Sequence, residues 1–154
     1  MATILSVSIS KEKGILKDAV PRGRLVEDHG LEGDAHAGSV RPVSLLPLAS
    51  IQKVEGDLKR RGIRVRPGLF AENFVVEGLV AGDVKPGDAL RLSSGARLVV
   101  RQIGKPFHTD NAVFRAIGSS PLPSDGIFAR VARGGEVKEG DRIEIEASGA
   151  ERGR

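Results

Sequence analysis

"VKEGDRIEI", Val137 to Ile145, decides the fold class of this chain. A lysine, a glycine and an aspartate form a tight turn, and the residues after it alternate in character. Ile143 and Ile145 fall on one side, with Arg142, Glu144 and Glu146 on the other. Successive side chains of a strand point to opposite faces, so this two-residue period marks a half-buried strand. The unit occurs a second time upstream, as "VKPGDALRL" from Val84 to Leu92. Two copies are too few for a stacked repeat array, and they read as equivalent corners of one sheet system.

Outward from these corners, strands dominate. In "ATILSVSIS" the period predicts Thr3, Leu5, Val7 and Ile9 inward and Ser6, Ser8 and Ser10 outward. "ENFVVEG", "DALRL" and "ARLVVRQI" are further strands, rich in branched apolar residues and bounded by turn formers. The chain has 20 glycines, well above the roughly 7% of an average protein, which supplies many tight turns. One segment has a helical period: Leu48, Ile51, Val54 and Leu58 share a face between Pro47 and Arg61, with Gly62 as the stop. Asn111 to Gly118 reads as a second, shorter helix capped by Asn111. The pattern predicts a mainly β protein, a compact closed or nearly closed antiparallel β-barrel with one or two short helices, since closure removes exposed strand edges. Residues 1–147 read as a single domain and 148–154 as a mobile polar tail.

Composition excludes several chemistries. Among 154 residues there is no cysteine, so no disulfide, thiolate metal ligand or thiol nucleophile exists in the chain. The N-terminus has no basic leader-type region, and no apolar run approaches the roughly 20 residues that span a bilayer. A cytoplasmic protein without membrane contact is therefore expected. The formal charge of +4 permits an anionic partner but is far from a nucleic-acid-binding surface. "KRRGIRVRPG", Lys59 to Gly68, is the one dense basic run; it reads as a solvated helix end or as a contact for a small phosphate. With five Phe and no Tyr or Trp, stacking platforms are scarce, which argues against a nucleic-acid partner.

Four stretches carry candidate chemistry. In "EDHGLEGDAHAG", Asp34 and His36 point to the same side if the chain is extended; the block is a turn with capping acids, the wall of a site, or an oxygen-and-imidazole cation site. "GLFAENF" sets Glu72 and Asn73 between two Phe, either as a turn at a strand's mouth or as a hydrogen-bonding edge for a ligand. "IGKPFHTDNAVF" and "GIFARVARGG" supply Lys105 and Arg130 as a clamp for a phosphate or oxyanion, and His108 as an acid, base, ligand or ordinary loop residue. No Ser-His-Asp order, P-loop or dinucleotide fingerprint is present.

Together, "GLEGDAHAG", "RPVSLLPLASI", "GLFAENFVVEGL", "VKPGDALRL", "VVRQIGKPFHTDNAVF" and "GIFARVARGGEVKEGDRIEI" resemble the MOSC domain, the family of the C-terminal domain of molybdenum-cofactor sulfurase, and look most like its small stand-alone bacterial members. The resemblance implies a mostly antiparallel β-barrel and involvement with the molybdenum cofactor, a phosphate-bearing pterin dithiolene, or with sulfur carriage. Some members reduce N-hydroxylated compounds, and others are joined to a pyridoxal-phosphate sulfurase domain that is missing here. The implied partners are a small anionic or pterin ligand and a molybdoenzyme or sulfur donor protein. Carried over residue by residue, the cofactor pocket comprises Asp34, His36, Glu72, Asn73, Lys105, His108 and Arg130, with no metal ligand and no assigned catalytic residue.

The chain departs from the family at one place. Similar proteins typically read "GKxCHxRC"; here Phe107 and Asn111 occupy the cysteine positions and Asp110 that of the arginine. Neither Phe107 nor Asn111 can form a persulfide or a metal–sulfur bond. The expected function is a MOSC-type domain that retains an anion- or pterin-binding pocket without sulfur-carrying thiols. The alternatives are a sulfurtransferase or N-hydroxyl reductase working through a non-thiol ligand, and a basic nucleic-acid module.

Overall fold

The computed structural model describes residues 1–106, 112–118 and 120–148. In chain order the strands are β1 (Ala2–Ile9), β2 (Asp18–Ala19), β3 (Arg22–Val26), β4 (Gly30–Leu31), β5 (Val43–Pro47), β6 (Phe74–Glu77), β7 (Ala89–Leu92), β8 (Arg97–Ile103), β9 (Ile127–Arg133), β10 (Gly135–Lys138) and β11 (Arg142–Glu146). Helix α1 (Leu48–Arg60) lies between β5 and β6, and the short α2 (Ala112–Ile117) and α3 (Leu122–Asp125) lie between β8 and β9.

Hydrogen bonding runs β11-β7-β8-β9-β5-β6-β1, and a further β1–β11 pairing closes the ring into a seven-stranded barrel. The fold class is thus the mainly β closed barrel expected. Two details differ from the pattern: there are three helices among the described residues, and β5 and β6 pair in parallel. The parallel pair follows from α1, because a helical crossover returns the chain to the same end of the sheet before it re-enters. A small sheet of β10, β3 and β4 lies beside the barrel.

The repeated corner has a physical basis. Asp88 accepts the Lys85 amide at 2.9 Å, and Asp141 accepts the Lys138 amide at 3.0 Å. Gly87 and Gly140 take φ of 98° and 94°, which side chains oppose. The two strands launched from these corners, β7 and β11, are antiparallel neighbours, with Ile143 opposite Leu92 and Ile145 opposite Leu90. Ile143 is buried in the barrel, whereas Ile145, expected inward, is 38% exposed near the end of β11.

β1 also departs from its simple period. A register shift against β6 between Ile4 and Ser6 rotates the strand, so Ala2 and Ile4 precede the shift in the barrel core and Val7 follows it there. Ser6, Ser8 and Ser10, expected outward, are buried. One inserted residue reverses which face each later side chain meets.

Apolar burial falls into two clusters. Ile4, Leu45, Phe74, Leu90, Leu98 and Val131 fill the barrel. Leu46, Ile51, Leu58, Phe70, Val113, Ile117 and Phe128 pack the helices against its outer wall. Helix α1 ends as its sequence dictates: Gly62 adopts φ of 78°, its amide reaches Lys59 O at 3.0 Å and that of Ile63 reaches Leu58 O at 2.9 Å. No helix among the described residues is long and apolar enough to cross a membrane.

Candidate functional site

The end of β1 organises the glycine-rich block. Ala35 donates its amide to Ser10 O at 2.8 Å, and the Ser10 amide donates to Asp34 Oδ1 at 3.0 Å. These bonds join the end of β1 to the turn that follows β4. Between them stands Lys17, a residue that sequence reasoning did not single out. Its side chain is completely buried, and Nζ lies 2.8 Å from Asp34 Oδ1, 3.0 Å from Ser10 Oγ and 3.1 Å from His36 Nδ1. Asp34 Oδ2 accepts the His36 amide at 3.2 Å. Burial, with Lys17 next in importance, lowers the His36 pKa to about 4, so the ring is neutral at physiological pH.

His36 forms part of the wall of a cleft of about 320 Å³. Lys13, Arg41 and Lys105 line the same cleft, with apolar faces from Phe70, Val113 and Phe128. Arg41 lies over the Phe128 ring, its guanidinium carbon 6.0 Å from the ring centre, at the outer limit of a cation–π contact. Burial, then Arg41 and Lys17, holds the Lys105 ammonium below its ordinary pKa. Among the described residues no carboxylate lines the cleft, and none of its three cations is ion-paired.

The other candidates are distributed as follows. Glu72 is buried behind the cleft wall, where Oε2 accepts the Gly68 amide at 2.6 Å and Oε1 that of Phe70 at 3.1 Å. Burial pushes its carboxyl up to about 7 against the opposing pull of these amides. The turn it holds carries Phe70 and Ala71 to the cleft, and Gly68 O accepts the Lys17 amide at 2.9 Å. Asn73 ties strands together: Oδ1 accepts the Ser44 amide at 2.9 Å and Nδ2 donates to Ser8 O at 3.1 Å. Arg130 is on β9, 42% exposed, 3.9 Å from Asp28 Oδ1, and is not among the cleft-lining residues. Phe107, His108, Asp110 and Asn111 lie outside the described residues; Lys105 before them and Val113 after them both line the cleft.

Of the predicted residues, His36 and Lys105 thus line the cleft and Asp34 stands buried behind His36, while Glu72 and Asn73 brace its walls. No cluster of three or more His, Asp and Glu suited to a metal occurs among the described residues. In the basic run, Arg61 donates to Ile117 O at 2.7 Å and Arg66 to Lys17 O at 2.8 Å, so two of the five cations serve as internal ties.

Comparison with known proteins agrees with this architecture. The YuaD protein of Bacillus subtilis superposes with a TM-score of 0.74 at 19% identity, covering 96% of this chain and 97% of that one. YiiM of Geobacillus stearothermophilus gives a TM-score of 0.67 at 20% identity over 94% of this chain and 75% of its own. YiiM of Escherichia coli gives 0.69 at 21% identity over 96% and 70%. At these identities the likeness establishes the fold alone. No protein of curated function matches the chain. The MOSC domain model matches residues 32–144, the greater part of the sequence, and the chain belongs to the MOSC domain family.

Proposed function

We propose that the cleft binds a small phosphorylated ligand of the molybdopterin type and takes no part in thiol-based sulfur transfer. The observation that supports this most directly is the wall of Lys13, Arg41 and Lys105 without a lining carboxylate among the described residues. Such a wall attracts a multiply charged anion, and Arg offers the planar fork that pairs with phosphate oxygens. Phe70 and Phe128 add apolar surface for a ring system.

The molybdenum cofactor fits this chain in part. Its phosphate suits the three cations and its pterin the apolar wall. A thiolate bond from the protein to molybdenum does not fit, because the chain has no cysteine.

The test is pterin analysis of protein purified from a molybdenum-replete host, read as fluorescence of the oxidised product. Bound pterin is expected, with its content lowered in Lys105→Ala and Arg41→Ala. Absence of pterin after saturating exposure, with the fold intact, refutes the reading. A Phe107→Cys/Asn111→Cys variant that alone acquires molybdenum or a persulfide would show that the thiols are the only missing part of the pocket.

A further inference from the structure

We propose that Lys17 is a positioning residue that fixes His36 as a hydrogen-bond donor to the cleft, so the ligand group seated against His36 is an oxyanion or carbonyl oxygen and not a metal ion. This deepens the anion-binding reading of the same cleft and rests on it.

Hydrogen-bond direction carries the inference. A lysine ammonium has three N–H donors and no lone pair. Lys17 Nζ meets three partners, Asp34 Oδ1, Ser10 Oγ and His36 Nδ1, at 2.8, 3.0 and 3.1 Å. Each must accept. Ser10 is free to do so, because its own hydroxyl hydrogen goes to Glu12 O at 2.9 Å. Asp34 Oδ1 accepts from both Lys17 and the Ser10 amide. The third acceptor is His36 Nδ1, which is therefore bare. A neutral imidazole with a bare Nδ1 carries its hydrogen on Nε2.

Among the described residues no other group draws the proton to Nδ1. Asp34 Oδ2 lies 3.9 Å from that nitrogen and accepts the His36 backbone amide. Among the described residues the charged groups acting on the ring are Lys17, Asp34, Lys105 and Lys13, three cations against one carboxylate. The ring itself stays 27% exposed and lines the cleft, and among the described residues its only ring hydrogen bond is at Nδ1, which leaves Nε2 without a partner. A metal ion needs a bare nitrogen, and the bare one is already covered by a buried ammonium.

The Lys17 backbone is hydrogen-bonded at both its amide and its carbonyl. Its amide donates to Gly68 O at 2.9 Å, and its carbonyl accepts from Arg66 at 2.8 Å. The lysine is thus oriented by the turn that Glu72 closes, and the turn acts on His36 through it.

The experiment is nitrogen-15 NMR of the histidine rings in the free protein. His36 is expected to show a protonated Nε2 and a bare Nδ1 from about pH 8 to about pH 5, where an ordinary histidine would charge. A proton on Nδ1, or a charged ring at about pH 6, overturns the proposal. In Lys17→Met the fixed tautomer is expected to be lost and the ring's proton affinity to rise at least about tenfold, since Asp34 remains beside it; an unchanged ring overturns it. Should Lys17→Met fail to fold, Lys17→Met/Asp34→Asn removes both charges, and loss of the fixed tautomer is again the expected result. Inorganic phosphate should shift the Nε2 resonance while Zn²⁺ leaves it unmoved. Zn²⁺ ligation by His36 overturns the proposal. A wrong tautomer in a protein that still binds phosphate defeats this inference alone, whereas the expected tautomer with no phosphate binding defeats the anion-binding reading and the ligand assignment built on it.

Discussion

Lys17 Nζ and Asp34 Oδ1 form an ion pair at 2.8 Å with both side chains wholly excluded from solvent. A buried pair offers little net stability over apolar packing, but removing one partner strands the other charge. Lys17→Met is expected to lower stability by about 3–5 kcal/mol, and Lys17→Met/Asp34→Leu to recover much of that loss. Urea unfolding of the two variants decides it. Equal losses in both would mean that packing, and not charge pairing, governs this region.

Glu72 makes stability depend on pH in an unusual direction for a carboxylate. Its pKa rises from 4.5 to about 7 on folding, chiefly through burial. The native state then binds the proton more tightly than the unfolded chain, so this group's contribution falls as pH climbs from 4.5 to about 7 and is level above that. At about 1.4 kcal/mol for each tenfold change in proton affinity, the decline amounts to about 3 kcal/mol. Denaturation of wild type and Glu72→Gln across this range should show it in the wild type only. A parallel pH profile in both proteins would assign the dependence to other groups.

Two glycines with similar φ should respond very differently to alanine. Gly62 has φ of 78° and no atom within 4 Å of a new Cβ, so Gly62→Ala is expected to cost about 1 kcal/mol of left-handed backbone strain. Gly68 has φ of 85°, and a Cβ there would collide with the backbone carbonyl oxygen of Lys17. Gly68→Ala should exceed about 4 kcal/mol, because turn and neighbour cannot both keep their places. Thermal melts of the pair provide the comparison, and a mild Gly68→Ala would show that the turn can move.

The cationic wall predicts anion affinity that depends on salt. Removal of Arg41 or Lys105 should weaken inorganic phosphate binding by roughly tenfold each, at about 1.5–3 kcal/mol for a charged hydrogen bond less its solvent screening. Calorimetric titration at low and high ionic strength tests this. Arg130→Ala, outside the cleft lining and beside Asp28, serves as the reference and should leave binding unchanged. A loss on Arg130→Ala equal to that on Lys105→Ala would move the site.

The barrel was largely legible because periodic strands and Gly-Asp corners are local signals. Val84–Leu92 and Val137–Ile145 show their turn chemistry and their alternation within nine residues each. Helix α1 was legible for the same reason, with both ends marked by Pro47 and Gly62. The β1 shift was not, since the residue inserted between Ile4 and Ser6 follows from pairing with β6 rather than from its own composition. For the site, Asp34, His36 and Lys105 stood out by residue type. Lys17 did not, because a lysine in "GILKDAV" acquires meaning only when residues 10, 34 and 36 fold around it. The one local hint was its place in a run of apolar neighbours, Ile15, Leu16, Ala19 and Val20.

The barrel closes along a short seam: Ala2 pairs with Ile143 and Thr3 with Arg142. These partners stand near opposite ends of the sequence, so the loop-closure entropy of nearly the whole chain must be met before the seam can form. The seam is accordingly expected to form late in folding, and its mutations to speed unfolding while leaving the folding rate almost unchanged, which stopped-flow refolding and unfolding of Thr3→Ala would test.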